Sequence, residues 1–332
     1  MTQPTATPGA ENPGAQNLGA ENPGAQNPGA ENPGLRIGTA PDSWGVWFPD
    51  DPQQVPWQRF LDEVVQSGYE WIELGPYGYL PTDPRQLEDE LGSRGLKLSA
   101  GTVFTGFHKG EDEWKRAWDQ ALDVAGLASK LGAEHLVVIP DLWRSDATSE
   151  VLESRTLDDA QWQKLAAGHD RLGKALLEEF GMRQQFHSHA DSHIGTTREV
   201  LRFLDETDPR YTNLCLDTGH FAYYGGDNVK LIEDRPERIG YLHLKQVDPS
   251  LLFDVLKNDV PFAQAVAEGI MIEPPHGIPD LGPVVEAVAK IDPDIFAIVE
   301  QDMYGCDVDR PFPIAKRTRE HIFGCTHLAR VS

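Results

Sequence analysis

From Leu35 onward, short apolar runs alternate with longer amphipathic stretches. Residues 35–39, 71–74, 97–102, 135–139, 183–187, 213–216, 239–244 and 295–299 each read as a strand buried on both faces. Between and after them, the pattern predicts helices at 56–67, 84–94, 113–131, 158–180, 196–205, 229–233, 281–291 and 313–323. The second of these stops at Gly95, as a helix end should. Eight strand–helix units predict an α/β fold, a (β/α)8 TIM barrel. A doubly wound open sheet is the rival, but no GxGxxG or GxxxxGK[ST] loop follows any of the runs.

Ahead of the first strand, residues 9–33 repeat GAENP in alternation with GAQNP or GAQNL and offer almost nothing to bury. Residues 1–34 are therefore expected to form a disordered low-complexity tail, and 35–332 a single catalytic barrel domain. A slipped repeat insertion accounts for such a tail better than an interaction arm does.

Composition narrows the function. The chain is 39% hydrophobic and 25% charged, and no stretch approaches the roughly 20 apolar residues that span a bilayer, so no membrane partner is expected. Its net charge of −24, from 53 acidic and 29 basic residues, would repel a polyanion, which argues against nucleic acid. Cys215, Cys306 and Cys325 are odd in number and lack CxxC spacing, so neither a disulfide framework nor a thiolate zinc site is indicated. The N-terminus has no basic segment followed by an apolar one, and a cytoplasmic location is expected. The oligomeric state stays open, a homo-oligomer included.

In a TIM barrel the chemistry sits at the C-terminal ends of the strands. Those ends carry Asp42, Ser43 and Trp44 after strand 1, Glu73 on strand 2, and His187, His189 and His193 on and after strand 5. Asp217 and His220 follow strand 6, His243 and Lys245 lie on strand 7, and Glu300 and Asp302 follow strand 8. Gathered at one mouth, these imidazoles and carboxylates form an N/O ligand set without thiolates. Such a set suits Mn²⁺, Co²⁺, Zn²⁺, Fe²⁺ or Mg²⁺ rather than a soft metal, and leaves the choice among them open. Each residue also has a plainer role. Asp217 could cap the next helix, and Lys245 could be satisfied within the fold, since an inward cation needs a partner or a substrate oxygen. Glu300, ending an apolar run, is costly to bury without a neutralising cation. His187 and His189 share one face by strand alternation. His108 and His276 stand in glycine-containing loops, where surface and site histidines read alike.

The motifs LDTGHF, HLK and IVEQD, in that order and spacing, resemble those of the xylose isomerase-like TIM barrels, which include sugar isomerases, epimerases and dehydratases. FHSHADSHIGT followed by FLDETDPRY, and the opening APDSW, are most similar to the inosose dehydratase branch. The resemblance implies a metal site of one residue from each of strands 5 to 8: His187, Asp217, His243 and Glu300. Many members carry glutamate where this chain has His187, so His189 is the alternative ligand, and the site has one negative charge fewer. The resemblance further implies that an α-hydroxy carbonyl substrate loses its α-proton to give an enediolate held by the cation. Candidate proton-transfer groups are His189, His220, Lys245 and Glu73; candidate substrate contacts are Trp44, His193, His276 and Asp302. The leading expectation is a lyase that eliminates water from a keto-inositol (inosose) or related keto-sugar. A sugar isomerase or epimerase, or β-elimination from a 3-keto-glycoside, are the alternatives, and a non-catalytic sugar-binding barrel is disfavoured because all four ligand positions are occupied by competent ligands.

Overall fold

The computed structural model describes residues 35–145 and 147–328; the repeat of residues 1–34 lies outside them. The eight apolar runs form parallel strands β1 (Arg36–Thr39), β2 (Trp71–Glu73), β3 (Lys97–Thr105), β4 (His135–Pro140), β5 (Arg183–His187), β6 (Thr212–Asp217), β7 (Ile239–Leu244) and β8 (Phe296–Val299). They close in chain order into one barrel, with β8 pairing β1 from Arg36↔Phe296 to Thr39↔Val299.

The helices are α1 (Trp57–Ser67), α2 (Pro84–Gly92), α3 (Glu111–Ala128), α4 (Asp159–Phe180), α5 (Thr197–Glu206), α6 (Thr218–Tyr223), α7 (Asn228–Asp234), α8 (Pro249–Asn258), α9 (Phe262–Ala267), α10 (Leu281–Ile291) and α11 (Pro311–Leu328). Their starts follow local side-chain chemistry. Asp158 with Gln161, and Thr196 with Glu199, form reciprocal capping boxes at α4 and α5. Asp83, Asp227 and Asp248 accept first-turn amides at α2, α7 and α8.

Three helices, α6, α8 and α9, lie where the sequence pattern gave none. All six residues of α6 are buried, so it has no polar face to create a helical period. In α8, Phe253 and Leu256 are exposed, which blurs the apolar stripe.

The core has three parts. One large cluster lies between the strands and the surrounding helices, a second packs α6, α8 and α9 around Tyr223, Val247 and Phe262, and a third inside the barrel joins Ala40, Ala100, Val137, Cys215, Tyr241, Phe296 and Ile298. The Tyr241 hydroxyl donates to Ser99 Oγ at 2.8 Å across this interior. Gly38 is required there, because a Cβ would stand 2.6 Å from Ile298 Cδ1 and 2.7 Å from the Trp71 carbonyl oxygen. The filled interior closes the N-terminal end and leaves the C-terminal end as the open mouth. No helix among the described residues is long and apolar enough to cross a membrane.

Candidate metal centre and active site

Strands β5, β6 and β7 and the residue just after β8 each deliver one side chain to a buried cluster of His187, Asp217, His243 and Glu300, whose potential ligand atoms lie within 4.8 Å of one another. His187 Nε2 is 3.2 Å from Asp217 Oδ2, and His243 Nδ1 is 2.9 Å from Glu300 Oε2 and 3.8 Å from Asp217 Oδ2. His243 Nε2 lies 2.8 Å from Glu73 Oε1, so the carboxylate of β2 fixes the ring and turns Nδ1 to the cluster.

Asp217 caps the next helix and also faces the cluster. Its Oδ1 accepts the His220 amide at 2.7 Å as the cap of α6, while its Oδ2 faces His187 and Lys245. The glycine of the same motif has a packing reason: a Cβ on Gly219 would stand 2.8 Å from Lys245 Cγ. The Lys245 ammonium lies 2.8 Å from Asp302 Oδ2, 3.1 Å from Glu300 Oε2 and 3.2 Å from Asp217 Oδ2, with Asp42 Oδ2 at 3.9 Å. Burial opposes its charge, but these four carboxylates outweigh burial and raise its pKa well above the usual lysine value. Burial also pushes Glu300 upward, yet His243 and Lys245 bring its carboxyl down to about 2. Asp42 and Asp302 move the other way, raised by burial and by Glu300.

Two further imidazoles stand beside the cluster. His189 Nδ1 is 2.7 Å from the Ala190 carbonyl oxygen, and the Ala190 amide donates to His220 Nδ1 at 3.1 Å. These bonds assign opposite tautomers: His189 keeps a lone pair on Nε2, whereas His220 carries its proton there. The ring centroids lie 3.9 Å apart with the planes tilted by 33°, and Phe262 of α9 packs against both. Burial, then the neighbouring His187, lowers His189 to about 3; burial, then His189, holds His220 well below the usual range.

Apart from the fully buried Asp217, the side chains of the cluster line a cavity of about 850 Å³ with Asp42, Lys245, Asp302, His189 and His220, and Glu73, Trp47, Tyr77 and Arg144 line it too. Charge and donor chemistry fit a divalent cation: four buried N/O atoms converge, and His243 Nδ1, which faces Glu300 and Asp217, is buried without a hydrogen bond.

Residues 61–322 match the family model of the xylose isomerase-like TIM barrel. The chain belongs to that family. It is 30% identical over 304 residues to an inosose dehydratase of Geobacillus kaustophilus (strain HTA426), covering 88% of this chain and 95% of that one. An inosose dehydratase of Lacticaseibacillus casei is 28% identical over 297 residues, with 87% and 96% covered. Among solved structures, the IOLI protein with a bound zinc atom matches at a TM-score of 0.65 and 14% identity, covering 87% of this chain and 98% of that one. The probable 3-DHS dehydratase AsbF of Bacillus anthracis matches at 0.64 and 16%, covering 87% and 99%.

Three residues expected at the substrate stand elsewhere. Trp44 lies in the 3-10 turn Pro41–Trp44, which carries its indole into the core against Phe60, where Nε1 donates to Glu63 Oε2 at 2.8 Å. His193 is 3.0 Å by Nδ1 from the Arg155 carbonyl oxygen, because the chain turns at Asp191, whose φ is +56°. His276 is exposed and outside the cavity lining. Asp302 does line the cavity, as do His189, His220, Lys245 and Glu73. Trp47, Arg144 and Phe262 line the cavity too, though no motif marks them. Trp47, three residues beyond Trp44, had a usable signal in the APDSWGVW run.

Proposed function

We propose that this protein is a metal-dependent dehydratase, a carbon–oxygen lyase that removes water from a keto-inositol or a related keto-sugar. The carrying observation is that a buried four-ligand cluster stands at one cavity, which His187, His243 and Glu300 of that cluster line together with His189, whose Nε2 keeps a lone pair. The inosose dehydratases similar over most of the chain direct the choice of substrate.

His187 Nε2, Asp217 Oδ2, His243 Nδ1 and Glu300 Oε2 would hold the cation. When bound, Mn²⁺ or Co²⁺ there supplies Lewis-acid polarisation of the substrate carbonyl and the adjacent hydroxyl. His189 Nε2 takes the α-proton, its ring held by the Nδ1 bond to Ala190. His220, protonated on Nε2, donates to a substrate oxygen. The Lys245 ammonium protonates the leaving β-hydroxyl, and Asp302 at 2.8 Å steadies the ammonium. Loss of the α-hydrogen and the β-hydroxyl as water leaves an enol, which becomes the dione. Glu73 serves as a positioning residue through His243 rather than as a proton carrier.

The test offers scyllo-inosose to the Mn²⁺- or Co²⁺-loaded protein. The ultraviolet absorbance of the enolised dione should rise with time. Solvent proton exchange and a new epimer without that absorbance would replace this reading with an epimerase.

A further inference from the structure

A second histidine–carboxylate cluster lies outside the centre described above. His108 sits in the 3-10 turn Phe107–Lys109 after β3, Glu153 between β4 and α4, and His193 in the loop after β5. His108 Nε2 is 2.9 Å from Glu153 Oε2, and His193 Nε2 is 3.5 Å from Glu153 Oε1. The two rings meet edge to face with centroids 4.6 Å apart, and the potential ligand atoms lie within 4.8 Å of one another. Both histidines are 3% exposed.

The tautomer of His193 matters most. Its Nδ1 hydrogen goes to the Arg155 carbonyl oxygen, which leaves a bare Nε2 aimed at Glu153. That Nε2 and Glu153 Oε1 are both buried without a hydrogen bond. Two lone-pair-bearing atoms facing each other need positive charge between them. Lys109 Nζ, 3.4 Å from Glu153 Oε1, supplies some, but it is shared with Asp141 Oδ2 at 2.9 Å. A protonated His108 would be the other source, and burial opposes it by lowering the His108 pKa.

We infer that His108 Nε2, His193 Nε2 and the Glu153 carboxylate bind a second divalent cation, of the Zn²⁺ or Co²⁺ class, that ties together the loops after β3, β4 and β5. Two imidazoles and one carboxylate suit these ions better than Ca²⁺ or Mg²⁺, which favour all-oxygen shells. Three protein ligands leave a fourth position for water. The role is positional: Lys109 and Leu152 line the catalytic cavity, and each is the sequence neighbour of a ligand. The competing arrangement is a metal-free ion pair between His108 and Glu153.

The inference stands apart from the dehydratase reading, and metal counting tests it without any turnover. The full chain, stripped with chelator and dialysed against Zn²⁺, should hold two equivalents by elemental analysis. Glu153→Gln and His193→Gln should each hold one. Asp217→Asn, which keeps a capping side chain for α6, should also hold one. Adding Zn²⁺ to the stripped Asp217→Asn protein should raise its melting temperature, a response lost when Glu153→Gln is added. A single equivalent in saturated wild type, or unchanged metal content and melting response on adding Glu153→Gln, would overturn the second site. Because Asp217→Asn leaves the second cluster intact, the test survives even if a cluster variant folds poorly.

Discussion

Along β7 the inward side chains are Tyr241, then His243, then Lys245 at the strand's end, and the two ends of the barrel differ in the same way on other strands. On β8 and beyond, Phe296 and Ile298 give way to Glu300 and Asp302; on β6, Cys215 gives way to Asp217; on β1 and beyond, Ala40 gives way to Asp42. The lower half is a packed plug that solves a stability problem. The upper half gathers Asp42, Asp217, Glu300 and Asp302 around the Lys245 ammonium, with Glu73 on the His243 imidazole beside them. Those groups are held by the plug but satisfied only in part by each other, so ligand and substrate atoms must complete them. Changes in the mouth should therefore alter metal and turnover, and changes beneath or behind it should alter stability alone.

Removing the cation should have the largest effect. Prolonged chelation should abolish turnover while the circular dichroism of the barrel persists, and Mn²⁺ or Co²⁺ should restore activity more readily than Ca²⁺. Full activity in protein proved metal-free would show that the mouth functions on its own charges.

His187 and His189 should then separate. His187→Ala should lose bound metal, because one ligand of the set is gone and the carboxylates are left poorly neutralised. His189→Ala should keep its metal and lose turnover by roughly 10²- to 10⁴-fold, the usual span for one general acid or base. Elemental analysis and initial rates on the same preparations decide it, and a metal-free His189→Ala beside a loaded His187→Ala would reverse the two roles.

Glu73 should come next. It contacts the cluster only through His243 Nε2, so Glu73→Gln should weaken metal affinity or activity by roughly 10- to 100-fold, the range for such supporting partners. Competition with a metal indicator reads the affinity directly. If only turnover fell, with metal affinity untouched, Glu73 would be a proton carrier after all.

The sequence carried the lower half and the strand ends well, for a reason visible in these residues. A buried parallel strand is a nearly continuous apolar run, and a charged residue closing such a run stands out, as Glu300 does after Ile298 and Val299. Strand ends of that kind marked these positions among several others, and the motif resemblance singled out His187, Asp217, His243 and Glu300, whose side chains lie together. Alternation loses its meaning once the strand stops. The 3-10 turn after β1 sent Trp44 inward, and the turn at Asp191 sent His193 to a different cluster. Phe262 was invisible because α9 has six residues and lies in a stretch without a clear period.

The smallest effect belongs to an imidazole away from the mouth. His169 lies on the buried face of α4, enclosed by Phe107, Phe186 and Phe203 at ring distances of 4.9, 5.0 and 5.1 Å. Burial lowers its pKa to about 3, against an ordinary value of 6.5. Between those two values the unfolded chain binds a proton that the folded chain refuses, so stability falls as pH drops below 6.5 and is unaffected above it. Each pH unit in that window costs about 1.4 kcal/mol from this group. His169→Leu keeps an apolar side chain among the three rings and removes the titration, so its melting temperature should decline less steeply than wild type between pH 6 and pH 5, roughly one unit of that window. Metal content and KM should match wild type throughout. An acid limb of unchanged slope would mean that the protons driving acid unfolding are taken up elsewhere, and the carboxylates and imidazoles of the mouth would be the groups to replace next.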